Sequence, residues 1–249
     1  MSDTLNNFIQ ASWARRKELT NIIFERTNGY VFSGPFKGMK ILPKWEWGDS
    51  DCAGKLLGIY ECELYPSVEK VINNNHDLIL NIGCAEGFYG VGLGMRTSAQ
   101  VVMIDPFVAA LSIARENAKV NNVNKILFSS ESHPEVFRHY LQKYNNPFIF
   151  MDCEGHEKKF LDLEAIPELS YTSVIVECHD NVWPGITEEL KDKFKDTHNI
   201  EAIPQGAKNP YMSITHDLCD YDKVLLCCEE RPMTMTWLYM TPKDAGNCS

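Results

Sequence analysis

The sequence predicts an α/β fold in which helices cover both faces of a mostly parallel β-sheet. Short apolar runs end in polar residues, the runs are continuous rather than alternating, and amphipathic helical patterns separate them. Continuous apolar runs are typical of strands that are buried on both faces. Strands that alternate with helices form parallel sheets through right-handed βαβ units. The middle of the chain is therefore expected to be a doubly wound α/β domain.

Five strands are predicted, in chain order, at residues 78–82, 101–104, 126–128, 148–151 and 174–176. Residues 108–121 carry apolar side chains at helical spacing, and residues 135–144 also predict a helix. Residues 1–76 are expected to form helices and loops. Residues 181–249 are mixed and end in an aromatic, strand-like run.

Length and composition exclude several classes of protein. The chain has 249 residues, of which 44% are hydrophobic and 23% charged, as in an ordinary globular protein. No apolar run approaches the roughly 20 residues that cross a bilayer, and the first residues lack a signal-peptide pattern. We therefore expect a cytoplasmic protein without a membrane span. The net charge of −10 argues against nucleic acid as a partner, because phosphate backbones repel an acidic chain.

A glycine-rich segment, NIGCAEGFYGVGLG, follows the first predicted strand. Gly83 allows a tight turn directly after the strand, and Gly87 allows the backbone to approach a ligand. A helix is expected to begin near Tyr89, so that its free N–H groups point to the same place. Asp105 ends the second strand, 22 residues after Gly83, where an acid accepts hydrogen bonds from ribose hydroxyls. The pattern predicts a nucleoside-cofactor site.

Two cofactors compete for this turn. A nicotinamide dinucleotide requires G-x-G-x-x-G, which the reading G-C-A-E-G-F-Y-G from Gly83 fits poorly. S-adenosylmethionine is bound by a loop such as (D/E)-x-G-x-G-x-G, where this chain has Asn81 for the acid and Ala85 for the middle glycine, while Glu86 keeps an acid in the loop. Three hypotheses stay open: an enzyme that uses S-adenosylmethionine, a nicotinamide-dependent oxidoreductase, and a non-catalytic nucleoside-binding module.

On these residues the chain resembles the class I S-adenosylmethionine-dependent methyltransferases. The segment FIFMDCEGHEKKFLD is similar to the FkbM-type branch, whose fourth strand ends in D-x-E-G-x-E, here Asp152 to Glu157. The following segment, VIVECHD, is similar to the region of that branch in which the fifth strand ends in an acid, here Glu177. The resemblance implies a Rossmann-like, seven-stranded sheet with an antiparallel C-terminal hairpin, for which residues 199–203 and 233–240 are the candidates. It also implies an N-terminal helix and substrate-cover loop at 1–54 before a cofactor-binding catalytic domain at 55–249.

The resemblance implies a set of residues that contact S-adenosylmethionine. They are Asn81, Gly83, Cys84, Ala85, Glu86, Gly87, Tyr89, Asp105, Pro106, Ser130 and Asp152.

A second resemblance concerns the segment DNVWPG, at residues 180–185. It is similar to the fifth-strand sequence of metal-dependent O-methyltransferases of the catechol and caffeoyl-coenzyme A type. It implies Mg²⁺ held by Asp152, Asp180 and Asn181, because a hard cation takes oxygen ligands and lowers the pKa of a substrate hydroxyl. The lysine that those enzymes carry shortly after the first acid is absent.

Methyl transfer to an alcohol or amine needs a group that removes a proton. The candidates are His156, His179 and Glu154, and the acids beside His179 are expected to raise its pKa. The predicted acceptor is a hydroxyl of a small molecule or saccharide. The N-terminal cover contains aromatic residues that suit contact with a sugar ring and equally suit a packing role. They are Tyr30, Phe32, Phe36, Trp45 and Trp47. A packed N-terminal helix would also be compatible with a homodimer.

Overall fold

The computed structural model describes residues 2–44 and 51–243 of the chain. The strands are β1 Leu78–Ile82, β2 Gln100–Ile104, β3 Ile126–Ser129, β4 Pro147–Met151, β5 Ser173–Cys178, β6 His198–Pro204 and β7 Thr236–Pro242. The helices are α1 Asp3–Thr27, α2 Cys52–Leu57, α3 Tyr65–Asn73, α4 Phe88–Arg96, α5 Val108–Val120, α6 Pro134–Leu141, α7 Glu157–Phe160, α8 Ile186–Phe194 and α9 Asp220–Leu226. Among these residues, no helix is both long enough and apolar enough to cross a membrane.

Within the described ranges, seven strands form one sheet in the order β3-β2-β1-β4-β5-β7-β6. Strands β1 to β5 pair in parallel, while β7 runs antiparallel to both β5 and β6. The predicted doubly wound α/β fold and its antiparallel C-terminal pair are therefore confirmed. Both predicted hairpin segments overlap the observed strands.

The register of the central strands brings three polar turns together. Ile82 at the end of β1 pairs with Ile104 of β2 on one side and with Met151 of β4 on the other. Because the three strands end at the same level, the residues that follow them meet at one edge of the sheet. This is the edge at which open α/β sheets bind ligands.

Hydrophobic cores lie on both faces of the sheet, because successive side chains of a strand point to opposite faces. On one face Ile79, Val101 and Phe150 pack under helices α1 to α5. On the other face Leu80, Val102 and Ile149 pack under α6 and α8.

Helix α1 is part of the first core. Its Leu19 and Ile23 are fully buried, and the helix packs against α2 and α9. The buried Arg16 pairs with Glu230 and donates to the carbonyl of Cys228 at 2.5 Å. The predicted division of the chain at residue 54 falls inside α2.

Candidate functional site

The glycine turn after β1 is fixed between the ends of two other strands. Gly83 has a φ of +71°, and a Cβ atom there would lie 1.6 Å from the carbonyl oxygen of Asp152. Two residues on, the amide of Ala85 donates to Asp105 Oδ2 at 2.9 Å. Asp105 Oδ1 accepts from the amide of Phe107, also at 2.9 Å. The turn and the acid at the end of β2 thus form one connected unit.

A cavity of about 560 Å³ opens at this edge of the sheet. The strand-end residues in its wall are Gly83, Ala85, Glu86, Asp105, Pro106, Phe107, Asp152, Cys153, Glu154, His156, His179 and Asn181. The opposite wall includes Glu229, Glu230, Arg231, Pro232 and Met235, which precede β7. The volume of the cavity lies within the range of about 300–1,000 Å³ that is usual for small-molecule sites.

Six of the predicted cofactor residues line the cavity, namely Gly83, Ala85, Glu86, Asp105, Pro106 and Asp152. The structure places the other five elsewhere. Asn81 is buried on the face of the first core, where its Oδ1 faces Gly90 of α4 and has no hydrogen-bond partner among the described residues. Cys84 is buried in the same core, and Gly87 lies against Ala114 of α5.

The remaining two residues are displaced for different reasons. Tyr89 points away from the cavity: its hydroxyl donates to Glu61 Oε2 at 2.6 Å, and its ring stacks on Phe150 at 3.8 Å. Ser130 is exposed just after β3, and Ser132 is the serine that lines the cavity. Asn81 lies in β1 and Tyr89 lies in α4. In both cases the position of the residue in its element directs the side chain toward the core.

His179 is surrounded by acids. Its Nδ1 lies 2.6 Å from Glu157 Oε1, and its Nε2 lies 3.4 Å from Glu154 Oε2 and 3.6 Å from Asp152 Oδ1. Burial alone would lower the pKa of His179, but these acids outweigh burial and raise the pKa to about 11. Without a bound metal ion, the imidazole is therefore protonated on both ring nitrogens at neutral pH. In this cationic form His179 is poorly suited to accept a further proton.

The other two proton-acceptor candidates also line the cavity. His156 is exposed, its Nδ1 lies 3.0 Å from the carbonyl oxygen of Cys153, and its ring stacks on Phe160. Contact with His179 lowers the pKa of Glu154. Glu154 is therefore a carboxylate at neutral pH.

The three predicted magnesium ligands are not brought together by their side chains. Asp152 and Asn181 line the cavity. The carboxylate of Asp180 instead accepts from the amide of Gly185 at 2.9 Å and from the hydroxyl of Thr187. These contacts stabilise the start of α8, because the first N–H groups of a helix lack partners within it. Among the described residues, Asp152, Glu154 and His179 form a group whose possible ligand atoms all lie within 4.8 Å of one another.

Lys55 and Arg231 line the cavity and form buried ion pairs, and neither was predicted as a site residue. Lys55 pairs with Glu86 and lies 4.8 Å from the centre of the Tyr60 ring. Arg231 donates to Glu61 and, at 3.0 Å, to Glu177 Oε2. Burial raises the pKa of Glu61 to about 8, although the charge of Arg231 opposes the rise. The run Glu229-Glu230-Arg231 was the available signal, since three charged residues directly follow the apolar run at residues 224–228.

The N-terminal aromatic residues do not act as one group. Phe36 is buried and packs edge-on against Phe88 and Tyr89 of α4. Tyr30 and Phe32 are partly exposed, and Trp45 and Trp47 lie outside the described residues. For Phe36 the structure therefore supports the packing role. The described part of the cover over the cavity comes largely from residues 229–235.

No protein-family model matches this chain, and no curated protein sequence matches it either. Solved structures that are similar to it include methyltransferases at low sequence identity. An O-methyltransferase from Bacillus cereus in complex with S-adenosylhomocysteine is 16% identical, with 71% of this chain and 78% of that chain covered and a TM-score of 0.48. A SAM-dependent methyltransferase from Agrobacterium tumefaciens is 10% identical, with 73% and 62% covered and a TM-score of 0.49. An rRNA methylase from Streptococcus thermophilus is 10% identical, with 72% and 96% covered and a TM-score of 0.48.

Proposed function

We propose that this chain is an S-adenosylmethionine-dependent methyltransferase. The observation that carries the proposal is the hydrogen bond between the Ala85 amide and Asp105 Oδ2 at the cavity wall. It joins the glycine turn to the acid at the end of β2, which are the two elements that a nucleoside cofactor needs at this edge of the sheet. The FkbM-like turn after β4 supports the proposal, because Asp152, Cys153, Glu154 and His156 of that turn line the same cavity.

The residues present fit the cofactor. Each carboxylate oxygen of Asp105 accepts one backbone amide, and a carboxylate offers about four acceptor positions. Capacity for two ribose hydroxyls therefore remains. Phe107 is 55% exposed beside Asp105 and offers an apolar surface for the adenine ring. The acidic side chains of Glu86 and Asp152 would hold the amino group, and Lys55 would hold the carboxylate of the methionine part.

When bound, S-adenosylmethionine supplies an activated methyl group on a sulfonium ion. The chain must then orient an acceptor, exclude water and remove the acceptor's proton. We assign proton removal to His156, which is exposed in the cavity wall and can accept a proton without breaking a buried ion pair. The side chains of His179 and Glu154 would position groups in the same wall and contribute electric charge to it. Because a hydroxyl must lose its proton on methylation, this arrangement suits O-methylation.

The acceptor that we propose is a small molecule or a saccharide. The cavity volume of about 560 Å³ supports this size class, and the net charge of −10 disfavours nucleic acid. Other parts of the proposal rest on sequence reasoning alone: the FkbM-like branch, a bound metal ion, for which the sequence suggests Mg²⁺, a cytoplasmic location, a homodimer and the cover role of residues 1–54.

The test is calorimetric titration of S-adenosylhomocysteine into wild-type protein and two matched variants. Asp105→Asn should weaken binding by at least about tenfold, because a hydrogen bond to a charged acceptor contributes about 1.5–3 kcal/mol. Asp77→Asn is the control. Asp77 also accepts two backbone amides, at 2.8 and 3.0 Å, but it lies just before β1, at the opposite edge of the sheet. Equal affinities of both variants would contradict the proposal, and binding of NADH instead would favour an oxidoreductase.

A further inference from the structure

Four carboxylates lie within 3.6 Å of the ring nitrogens of His179. His179 is only 3% exposed, and Glu157 and Glu177 beside it are fully buried. Because a carboxylate oxygen only accepts hydrogen bonds, Nδ1 carries the proton that lies between it and Glu157. Nε2 then faces oxygen atoms of Glu154, Glu177 and Asp152, all within 3.6 Å. The three acids therefore surround Nε2 with negative charge, which either a proton on Nε2 or a metal ion bound to it can balance.

A second observation points to the same place. Asp152 Oδ1 is buried and has no hydrogen-bond partner among the described residues, although it belongs to a side chain of the cavity wall. A buried carboxylate oxygen without a partner is costly. The oxygen lies 3.6 Å from His179 Nε2. Nearby, Arg231 already donates to Glu61 and Glu177 and does not reach this oxygen in any described hydrogen bond.

The distances match those of metal ligands. Ligand atoms of Asp152, Glu154 and His179 all lie within 4.8 Å of one another. Bonds of about 2.1 Å at a tetrahedral angle separate two ligand atoms by about 3.4 Å, close to the distances around Nε2. Glu157 holds the other ring nitrogen, an arrangement that orients histidine ligands in many metal sites.

We propose that Asp152, Glu154 and His179 Nε2 bind a divalent transition-metal ion, with Glu157 as the positioning residue. One imidazole nitrogen and two carboxylates suit Mn²⁺, Fe²⁺ or Zn²⁺ better than Mg²⁺, which prefers oxygen ligands alone. This ligand set differs from Asp152, Asp180 and Asn181, because Asp180 is engaged at the start of α8. If the proposed function holds, the ion lies in the wall next to His156 and lowers the pKa of an acceptor hydroxyl.

The test is Mn²⁺ binding by the full chain without any nucleoside cofactor, measured as loss of the free Mn²⁺ signal in electron paramagnetic resonance. The wild type is expected to bind one ion per chain, and spin-echo modulation is expected to show coupling to one imidazole nitrogen. Glu154→Gln should weaken binding by at least about tenfold. This variant should fold normally, because the Glu154 side chain is 66% exposed and glutamine has the same shape.

Asn181→Ala is the matched control, since Asn181 lines the same cavity but lies outside the proposed ligand set. Its Mn²⁺ affinity should equal that of the wild type. The proposal would be overturned by absence of Mn²⁺ binding at millimolar concentration, by unchanged binding in Glu154→Gln, or by a loss in Asn181→Ala that matches the loss in Glu154→Gln. Because no cofactor is present, these outcomes are independent of whether the chain binds S-adenosylhomocysteine.

Discussion

At the scale of single residues, Gly83 fixes the shape of the cofactor turn. Replacing it with alanine is expected to cost more than about 3 kcal/mol of unfolding free energy, because the new Cβ would overlap the carbonyl oxygen of Asp152 at 1.6 Å. Gly185→Ala is the control. Its φ is +89°, but among the described atoms none lies within 4 Å of the added Cβ, so backbone strain of about 1 kcal/mol is expected. Similar losses in urea denaturation of both variants would contradict this role of Gly83.

The Lys55–Glu86 pair should also stabilise the folded state. Both side chains are largely buried, with 13% and 6% exposed, so Glu86→Gln leaves a buried ammonium without its partner. The expected cost is about 3 kcal/mol or more. Glu116→Gln provides the control, because Glu116 and its partner Lys44 are about half exposed and such pairs contribute about 1 kcal/mol or less. Urea denaturation at neutral pH measures both, and equal losses would argue against a stabilising buried pair.

The same pair predicts a pH dependence. Burial would raise the pKa of Glu86, but the charge and hydrogen bond of Lys55 hold it below its ordinary value of 4.5. A pKa that is lower in the folded state stabilises the protein above the unfolded value, and this stabilisation is lost as the pH falls through the folded value. The stability difference between wild type and Glu86→Gln should therefore shrink below about pH 4. A difference that stays constant into acid would contradict this assignment.

At the scale of elements, α1 belongs to the core of the sheet. Leu19→Ala should cost about 2–5 kcal/mol, because Leu19 is fully buried, and unfolding should remain a single transition. Leu5→Ala on the same helix should change stability by no more than about 0.5 kcal/mol, since Leu5 is 44% exposed. If residues 1–54 formed an independent cover, Leu19→Ala would leave the main unfolding transition unchanged, which calorimetry would reveal.

The central strands β1, β4 and β5 could be predicted because each is a short, mainly apolar run that is buried throughout on both faces of the sheet. Asp105 could be predicted because strand register places it beside the turn. Asn81 and Tyr89 were assigned from a loop pattern that ignores side-chain direction, and both face the core. Arg231 contacts Glu61, 170 residues away in sequence. Local patterns carry no information on such a contact.

At the scale of the whole molecule, the cavity is built by strands and loops that lie far apart in the sequence. The register of β1, β2 and β4 sets the position of the glycine turn, Asp105 and Asp152. Residues 229–235 cover the opposite wall and are tied by Arg16 to α1 and by Arg231 to Glu61. Ligand binding in this cavity should therefore stabilise the molecule as one unit. Ligand at 100 times its Kd would add about 2.7 kcal/mol to the unfolding free energy.

Calorimetric titration of wild-type protein with S-adenosylhomocysteine tests whether this cavity binds S-adenosylmethionine. We expect one molecule to bind per chain with a micromolar Kd, and we expect a higher unfolding temperature in the presence of ligand. Folded protein that shows neither heat of binding nor thermal stabilisation at millimolar S-adenosylhomocysteine would contradict the claim.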